Sequence, residues 1–265
     1  LGVVLSGGSA FGLATADGVA NWLEEQGTGY PVGVLAPIAR VPIVGAAIVL
    51  DRAVAVPGAR PGALQGRAAC DAATSAEPPE GGVGAGAGCV VAKVAGLQYA
   101  WRGGQGVVVR RAAGVTVGAL VVNNAVGEVI DDDGSVIVPS RAPPEVQRYP
   151  YHAEALASRR RPAHLEGPTA STVIGCIVTD AALSKIEAYR VADLGHAGIV
   201  RAVRPAHTSM DGDALFCLAT GRVQAHVDLV AALAADVVAE ACRRGPRAAV
   251  SVGEVPGLAD AAPAG

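Results

Sequence analysis

Short apolar runs, glycine-rich turns and helical spacing alternate through the first third of the chain. An apolar run over residues 1–5 precedes a glycine turn at 6–9, and apolar positions then recur at helical spacing over 11–25. This pattern predicts a strand, a tight turn and a helix. Proline-interrupted β-like sequence over 32–56 predicts further strands, and small residues over 62–76 predict a second helix.

The middle of the chain is rich in glycine and valine. Residues 93–101 have a helical pattern, whereas 107–111 and 115–122 are apolar runs separated by a short turn. We therefore predict a helix followed by two paired strands, with a third strand at 126–130.

The second half begins with a long segment that has no periodic pattern. Residues 139–168 are rich in proline and arginine, which predicts an exposed loop. Regular patterns then return and predict, in order, a strand over 172–179, a helix over 184–199 capped by Ser184, a strand over 215–219 and a helix over 227–243.

Composition and charge exclude several classes of protein. Hydrophobic residues make up 51% of the 265 residues and charged residues 17%, which suits a large core and argues against a disordered chain. The net charge of -3 offers no broad positive surface for nucleic acid or an anionic membrane. The apolar runs are also shorter than the roughly 20 residues of a transmembrane helix. We predict a soluble protein that binds neither nucleic acid nor membrane.

The five cysteines are widely spaced and form no C-x-x-C pair. This spacing argues against a zinc site or a disulfide framework and favours reduced thiols. We predict a cytoplasmic protein with no metal ion and no other cofactor. The chain opens in the middle of an apolar run, so we also expect that sequence upstream of Leu1 is missing.

A hydroxyl residue, Thr172, opens a predicted buried strand directly after the long loop. Cleavage of the chain before Thr172 would place a new α-amine beside the threonine hydroxyl. An α-amine with a pKa of roughly 8 accepts a proton near neutral pH, so this one residue would supply both a nucleophile and its base. Alternatively, Ser171 and Thr172 simply begin a strand, since threonine favours strands.

Two carboxylates, Asp211 and Asp213, lie on one tight turn directly before the next strand. Such a pair can orient an amine and direct protons. An ordinary turn is one alternative, and a divalent cation held by His207 and both aspartates is another. We favour proton handling, because no third ligand cluster is evident in the sequence.

Other polar residues gain interest from their surroundings. Asn124 ends an apolar strand, where a side-chain amide either stabilises an oxyanion or caps the strand. Lys93 lies among small residues, so it either carries a buried charge near a site or extends to solvent. The turn at 6–9 lacks the ending of a phosphate loop and is interpreted as a close-packing turn. His196 is interpreted as a core histidine.

Five segments together carry a family signature. They are the glycine turn L-S-G-G-S-A-F-G-L at 5–13, the V-G-A-G-A-G segment at 83–106, the strand V-G-A-L-V-V-N-N-A-V-G at 117–127, the strand at 172–180 and the stretch ending in the acidic turn at 199–213. In this order they resemble the L-aminopeptidase/D-esterase family of N-terminal nucleophile hydrolases, whose relatives include nylon-oligomer hydrolases and, more distantly, ornithine acetyltransferases. The resemblance covers nearly the whole chain.

The resemblance implies an α/β fold, a layered α/β/β/α sandwich of the N-terminal nucleophile aminopeptidase type. It also implies one catalytic domain over 1–265, autocatalytic cleavage into an α chain (1–171) and a β chain (172–265), and a homotetramer. It implies that Thr172 is the nucleophile and Asn124 the oxyanion donor. Asp211 and Asp213 would position or titrate the amine, and Lys93 would be a supporting cation.

The implied activity is hydrolysis of amide bonds in small peptides, or of aminoacyl amides and esters. Ser171 and Val173 stand where the family commonly has asparagine and a second threonine, and Gln105 and Val94 interrupt its glycine-rich segment. The family also has an additional segment before the point at which this chain begins. The alternatives are an endo-amidase acting on nylon-like oligomers, an acyltransferase that uses the same acyl-enzyme, and an inactive scaffold.

Overall fold

The computed structural model of the chain describes residues 1–33, 39–51, 54, 58–143 and 171–261. The α-helices in these ranges are α1 (Thr15–Glu25), α2 (Ala63–Asp71), α3 (Lys185–Ala202) and α4 (Val227–Arg247). The strands are β1 (Gly2–Ser6), β2 (Tyr30–Val32), β3 (Ala39–Val41), β4 (Val44–Ile48), β5 (Val90–Val91), β6 (Trp101–Arg102), β7 (Gly104–Ala112), β8 (Val115–Asn124), β9 (Glu128–Ile130), β10 (Val136–Val138), β11 (Thr172–Ala181), β12 (Val203–Arg204) and β13 (Ala214–Val223).

A central sheet has the strand order β13–β11–β8–β7. β8 pairs antiparallel with both β7 and β11, and β11 pairs parallel with β13. Ala113 and Gly114 join β7 to β8 with φ angles of 48° and 82°, the left-handed geometry that a two-residue hairpin turn requires. The predicted strand pair in this region is confirmed.

Helices α3 and α4 cover one face of the central sheet. The predicted cap of α3 is present, because Glu187 N donates to Ser184 Oγ at 3.3 Å and Ser184 N donates to Glu187 Oε2 at 2.8 Å. The two helices approach closely, since a side chain on Gly198 would collide with the carbonyl oxygen of Ala235. The largest hydrophobic core lies between these helices and the sheet and includes Val121, Val173, Ile177, Ile199 and Val238.

A second, two-stranded parallel sheet of β1 and β4 packs against the other face of the central sheet. Phe216 of β13 lies on Gly45 of β4, where a β-carbon would come within 2.9 Å of the ring. Helices α1 and α2 contact each other outside this second sheet through Gly18 and Gly66. The layers therefore run helix, sheet, sheet, helix, as the predicted sandwich requires.

A small sheet with the order β10–β9–β12 lies beside these layers. Arg243 of α4 is only 1% exposed and donates to Ile130 O and to Asp132 Oδ1, both at 2.8 Å. This buried cation ties α4 to the end of β9.

Two predicted elements differ from the structure. Residues 93–101 do not form a helix, because Gly96 has a φ of 126° that interrupts helical geometry. They contain the 3-10 turn Leu97–Tyr99, and Trp101 begins β6. The strand predicted at 126–130 is β9, which pairs with β10 and β12 instead of extending the central sheet. The chain leaves that sheet at Gly127, where a side chain would collide with the carbonyl oxygen of Pro205.

The predicted end of the last helix also differs. α4 continues to Arg247 instead of ending at 243, and its last turn packs Gly245 against the backbone of Gly104. Residues 139–143 have no regular structure, as predicted, whereas 144–168 of the predicted loop lie outside the described residues.

Candidate active site

Thr172 is the first residue of β11, which is an interior strand of the central sheet. The antiparallel register places it directly opposite Asn124, the last residue of β8. Paired residues of antiparallel strands direct their side chains to the same face, so the hydroxyl and the amide lie side by side. Both residues are buried, with exposed fractions of 7% and 0%.

The backbone of Ser171 is held through both its N–H and its carbonyl group. Ser171 N donates to Met210 O at 3.0 Å, and Gly212 N donates to Ser171 O at 2.9 Å. The Thr172 hydroxyl also donates to Ser171 O, at 2.5 Å. The carbonyl oxygen before Thr172 therefore accepts two hydrogen bonds at a buried position.

The acidic turn lies against this peptide group. A parallel bridge pairs Asp211 with Ser171, and a β-carbon on Gly212 would lie 3.6 Å from Thr172 Oγ1. Asp211 Oδ2 accepts from Thr208 N at 3.0 Å and from Thr208 Oγ1 at 2.7 Å, which closes the turn on itself.

The carboxylate of Asp213 is fixed through both of its oxygens. Oδ1 accepts from Val173 N at 2.6 Å, and Oδ2 is hydrogen-bonded to His207 Nδ1 at 2.6 Å. Burial raises the pKa of Asp213 above its ordinary value and the charge of Asp211 adds to this, whereas the Val173 amide and His207 act in the opposite direction.

Lys93 approaches the same place from the glycine-rich segment. Its Nζ donates to Asn124 O at 2.9 Å and to Asn124 Oδ1 at 3.1 Å. Burial lowers the pKa of Lys93 to about 8, although the nearby groups Cys89 and Asp211 favour the charged form. This lysine is therefore easier to deprotonate than a lysine on the surface.

The side-chain amide of Asn124 is held in a defined orientation. Oδ1 accepts from Val90 N at 2.9 Å as well as from Lys93, and Nδ2 donates to Leu50 O at 3.1 Å. The neighbouring Asn123 instead donates to Cys242 O at 2.9 Å on the opposite face. Of the two asparagines, only Asn124 shares the face of Thr172.

The structure brings all five predicted site residues into one neighbourhood, at the end of β8 and the start of β11. They are Thr172, Asn124, Lys93, Asp211 and Asp213. Their catalytic roles stay predictions. Among the described residues, no group of three or more histidine, cysteine, aspartate or glutamate side chains could hold a metal ion.

Sequence reasoning missed two contributors. The N–H of Gly212 is a backbone group, and its contact with Ser171 depends on a pairing that no residue pattern reveals. His207 was considered only as a metal ligand, whereas its ring binds Asp213 and lies 5.0 Å from the ring of His196. Its position six residues before Asp213 was the available signal.

The glycine turn at 6–9 has a packing role, as predicted. Gly8 N donates to Asp51 Oδ2 at 3.1 Å, and a side chain on Gly7 would collide with that carboxylate. A side chain on Gly12 would collide with the carbonyl oxygen of Gly7. The turn thus brings its backbone close to the end of β4.

Comparison with known proteins gives consistent matches over most of the chain. A profile of peptidase family S58 matches residues 1–256. An uncharacterized aminopeptidase of Mycobacterium leprae is 40% identical over 226 residues, which are 84% of this chain and 60% of that protein. An uncharacterized aminopeptidase of Mycobacterium bovis is 38% identical over a 287-residue alignment that covers 98% of this chain and 78% of that protein. A 6-aminohexanoate-oligomer endohydrolase of Paenarthrobacter ureafaciens is 32% identical over 227 residues, 83% of this chain and 61% of that protein.

Solved structures share the fold. A β-aminopeptidase of Burkholderia sp. gives a TM-score of 0.65 at 23% identity, over 97% of this chain and 70% of that chain. An L-aminopeptidase D-Ala-esterase/amidase from Ochrobactrum anthropi is described as a variant of the Ntn hydrolase fold. It gives a TM-score of 0.62 at 19% identity, over 94% of this chain and 66% of that chain. The predicted fold class is confirmed.

No helix in the described ranges is both long and apolar enough to cross a membrane.

Proposed function

The chain belongs to peptidase family S58, and from this premise we propose that it hydrolyses amide bonds after cleaving itself before Thr172. The observation that carries the proposal is the environment of the Ser171 carbonyl oxygen. This oxygen accepts hydrogen bonds from Gly212 N at 2.9 Å and from Thr172 Oγ1 at 2.5 Å. A carbonyl group, a hydroxyl nucleophile and a backbone donor therefore lie together.

In the self-cleavage step, Thr172 Oγ attacks the carbonyl carbon of Ser171. The C–N bond to Thr172 breaks, the hydroxyl proton passes to the departing nitrogen, and residues up to Ser171 become an ester on the threonine oxygen. The N–H of Gly212 stabilises the negative charge that develops on the carbonyl oxygen, an interaction of about 3 kcal/mol in other hydrolases. Water then cleaves the ester, which leaves a carboxylate on Ser171 and an α-amine on Thr172.

In the processed enzyme, the α-amine of Thr172 accepts the hydroxyl proton while the oxygen attacks the amide carbon of a substrate. We assign stabilisation of the oxyanion to the side-chain amide of Asn124, because it lies opposite Thr172. Lys93 supplies a supporting charge through its bonds to Asn124, and Asp211 and Asp213 hold the protonated amine. The amine passes its proton to the leaving group, and water releases the acyl group.

The proposed substrates are small peptides that lose their N-terminal residue, or aminoacyl amides and esters. Relatives named aminopeptidase, which are 38–40% identical to this chain, support this choice. A second candidate is endo-hydrolysis of internal amide bonds, which the 32% identity to a 6-aminohexanoate-oligomer endohydrolase supports. An aminoacyl anilide with a free amine and an N-acetylated 6-aminohexanoate oligomer separate the two, since an aminopeptidase cleaves only the first.

The intact mass of the purified protein tests self-cleavage. We expect two fragments, 1–171 and 172–265, with threonine at the start of the second by N-terminal sequencing. Thr172→Ala removes the hydroxyl, so this variant stays whole and loses activity by at least a thousandfold. Thr172→Ser keeps a hydroxyl and still splits.

The matched control is Thr220→Ala, an exposed threonine on β13. This variant is expected to split and to hydrolyse the anilide like the unmodified protein. A Thr172→Ala protein that keeps full activity would exclude the proposed nucleophile. An unmodified protein that neither splits nor hydrolyses amides would favour the inactive scaffold.

A further inference from the structure

The two histidines beside the acidic turn are not used by the mechanism above. His207 lies on the turn itself, and His196 extends from α3 toward it. Their rings lie 5.0 Å apart and are inclined by 52°. Only His207 has a hydrogen bond to a predicted site residue.

The bond from His207 completes the hydrogen bonding of a buried carboxylate. The side chain of Asp213 is 4% exposed, and its Oδ1 already accepts from Val173 N. His207 Nδ1 reaches Oδ2 at 2.6 Å, a short distance typical of a charge-assisted hydrogen bond. Without the ring, Oδ2 loses this partner inside the protein, where an unpaired carboxylate is costly.

The backbone of the turn presents the ring at an energetic cost. His207 has a φ of 54°, a left-handed conformation that costs a residue with a β-carbon on the order of 1 kcal/mol. The following residue, Thr208, is anchored through its N–H to Asp211. The turn therefore holds His207 in a strained backbone conformation from which its ring reaches Asp213.

The His207 side chain is 34% exposed, so it joins a buried group to solvent. Its neighbour His196 has a lowered pKa, first because of burial and second because of the His207 charge. Near neutral pH, His196 is thus a neutral ring that packs beside the ring of His207.

Other ionisable groups face this cluster from each neighbouring element. Asp211 lies on the same turn, Asp193 faces His196 from α3, and Cys242 faces Asp213 from α4. Lys93 faces Asp211 from the glycine-rich segment. His207 is the group in this set that is hydrogen-bonded to Asp213 through its side chain and partly open to water.

We propose that His207 is a positioning residue: it fixes the Asp213 carboxylate beside the nucleophile and keeps it ionised. This inference rests on the proposed function, because it gives Asp213 the task of holding the Thr172 amine. Asp213 accepts from the N–H of Val173, the residue directly after the nucleophile. A shift of this carboxylate therefore displaces the partner of the new amine.

The test compares two substitutions at this position. His207→Ala removes the ring, whereas His207→Asn keeps a donor near the place of Nδ1 and removes the imidazole. Because His207 lowers the pKa of Asp213, His207→Ala raises it. The inflection that Asp213 contributes to the acid limb of the kcat/KM profile for the aminoacyl anilide then moves to higher pH, and kcat/KM at neutral pH falls about tenfold to a hundredfold.

His207→Asn is expected to recover most of the neutral-pH rate and to show a smaller shift of the acid limb. A purely structural role would lower the rate without moving the limb. The control is His226→Ala, an exposed histidine at the start of α4 with 76% of its side chain accessible. This variant keeps the unmodified profile.

Each outcome has a defined meaning. An active, self-cleaved protein whose His207→Ala variant keeps the unmodified rate and acid limb overturns the role of His207 and leaves the proposed function standing. A protein that never splits and never hydrolyses amides overturns both. If His207→Ala does not fold, His207→Asn decides: a rate near that of the unmodified protein with a shifted limb supports the role, and an unshifted limb overturns it.

Discussion

Lys93 is the buried residue at which charge and burial conflict most clearly. Its pKa is lowered from 10.5 to about 8 because burial removes water from the ammonium group. The folded protein therefore binds fewer protons here than the unfolded chain between pH 8 and 10.5. Each pH unit in that interval is worth about 1.4 kcal/mol, so the charged lysine costs the fold about 3 kcal/mol at neutral pH.

We predict that Lys93→Met is more favourable at pH 7 than at pH 9.5. The unfolding free energy of the variant relative to the lysine protein is expected to be about 2 kcal/mol higher at the lower pH, because the cost of the charge disappears as pH rises. Denaturant unfolding at both pH values measures this difference. A Thr172→Ala background keeps the chain in one piece for the comparison.

Lys185→Met provides the control, since Lys185 is exposed at the start of α3. Its substitution is expected to change the unfolding free energy equally at both pH values. A Lys93→Met effect that is independent of pH would show that the lysine is not held in a perturbed environment.

The sequence predicted chemistry from residue type and could not predict contacts. The hydroxyl, amide and carboxylates were recognisable because each stands at the end of a predicted strand or on a turn. The closeness of His207 to Asp213 in the sequence was the one signal for their bond, and it was not sufficient, because the bond depends on a left-handed backbone at the histidine. The Gly212 donor was equally hidden, since every residue except proline carries an N–H.

Glycines set the distance between packed elements. Gly198 lies on α3, where a side chain would need space that α4 already fills with the carbonyl oxygen of Ala235 and the amide nitrogen of Ala239. We predict that Gly198→Ala forces the helices apart and lowers the unfolding free energy by about 1–3 kcal/mol, despite the better helix propensity of alanine. Denaturant midpoints measure the loss.

Ala197→Ser is the matched substitution on the same turn of α3, at an exposed position. We expect it to change the unfolding free energy by less than about 0.5 kcal/mol. If Gly198→Ala were equally mild, the close contact between α3 and α4 would not be a constraint on the fold.

At the scale of elements, periodicity was sufficient where an element is long and regular. Helices α3 and α4 were predicted from their helical spacing, because each buries one face. Strands β8 and β11 were predicted from continuous apolar runs, because both lie between two hydrophobic cores. Spacing failed for 93–101, where Gly96 breaks the helical geometry. The order of strands in the central sheet joins distant segments, so the local pattern contains no information about it.

For the whole molecule, the family predicted by resemblance is confirmed by the match over residues 1–256. The tetramer and the single catalytic domain stay predictions. The most informative global feature is that β11, the strand that begins at the proposed cleavage point, is an interior strand of the central sheet and not an edge strand.

We predict that the two chains remain associated after cleavage. β11 would begin the new chain, yet it pairs along its length with β8 of the other chain, and α4 packs against β7 and β8. The processed protein is therefore expected to elute as one species in native size-exclusion chromatography, at the position of uncleaved Thr172→Ala, and to separate only in denaturant. Elution of free fragments under native conditions would contradict this arrangement.

The interior position of β11 also determines how the cleaved protein refolds after denaturation. After cleavage, β11 and its neighbour β8 belong to different chains. If the protein then unfolds, the two chains must meet by diffusion before these strands can pair again. Recovery from denaturant would then become a second-order reaction that slows on dilution, whereas the uncut variant would refold at a rate independent of concentration. The lifetime of the active form would accordingly be governed by its rate of unfolding more than by an equilibrium with the unfolded chains.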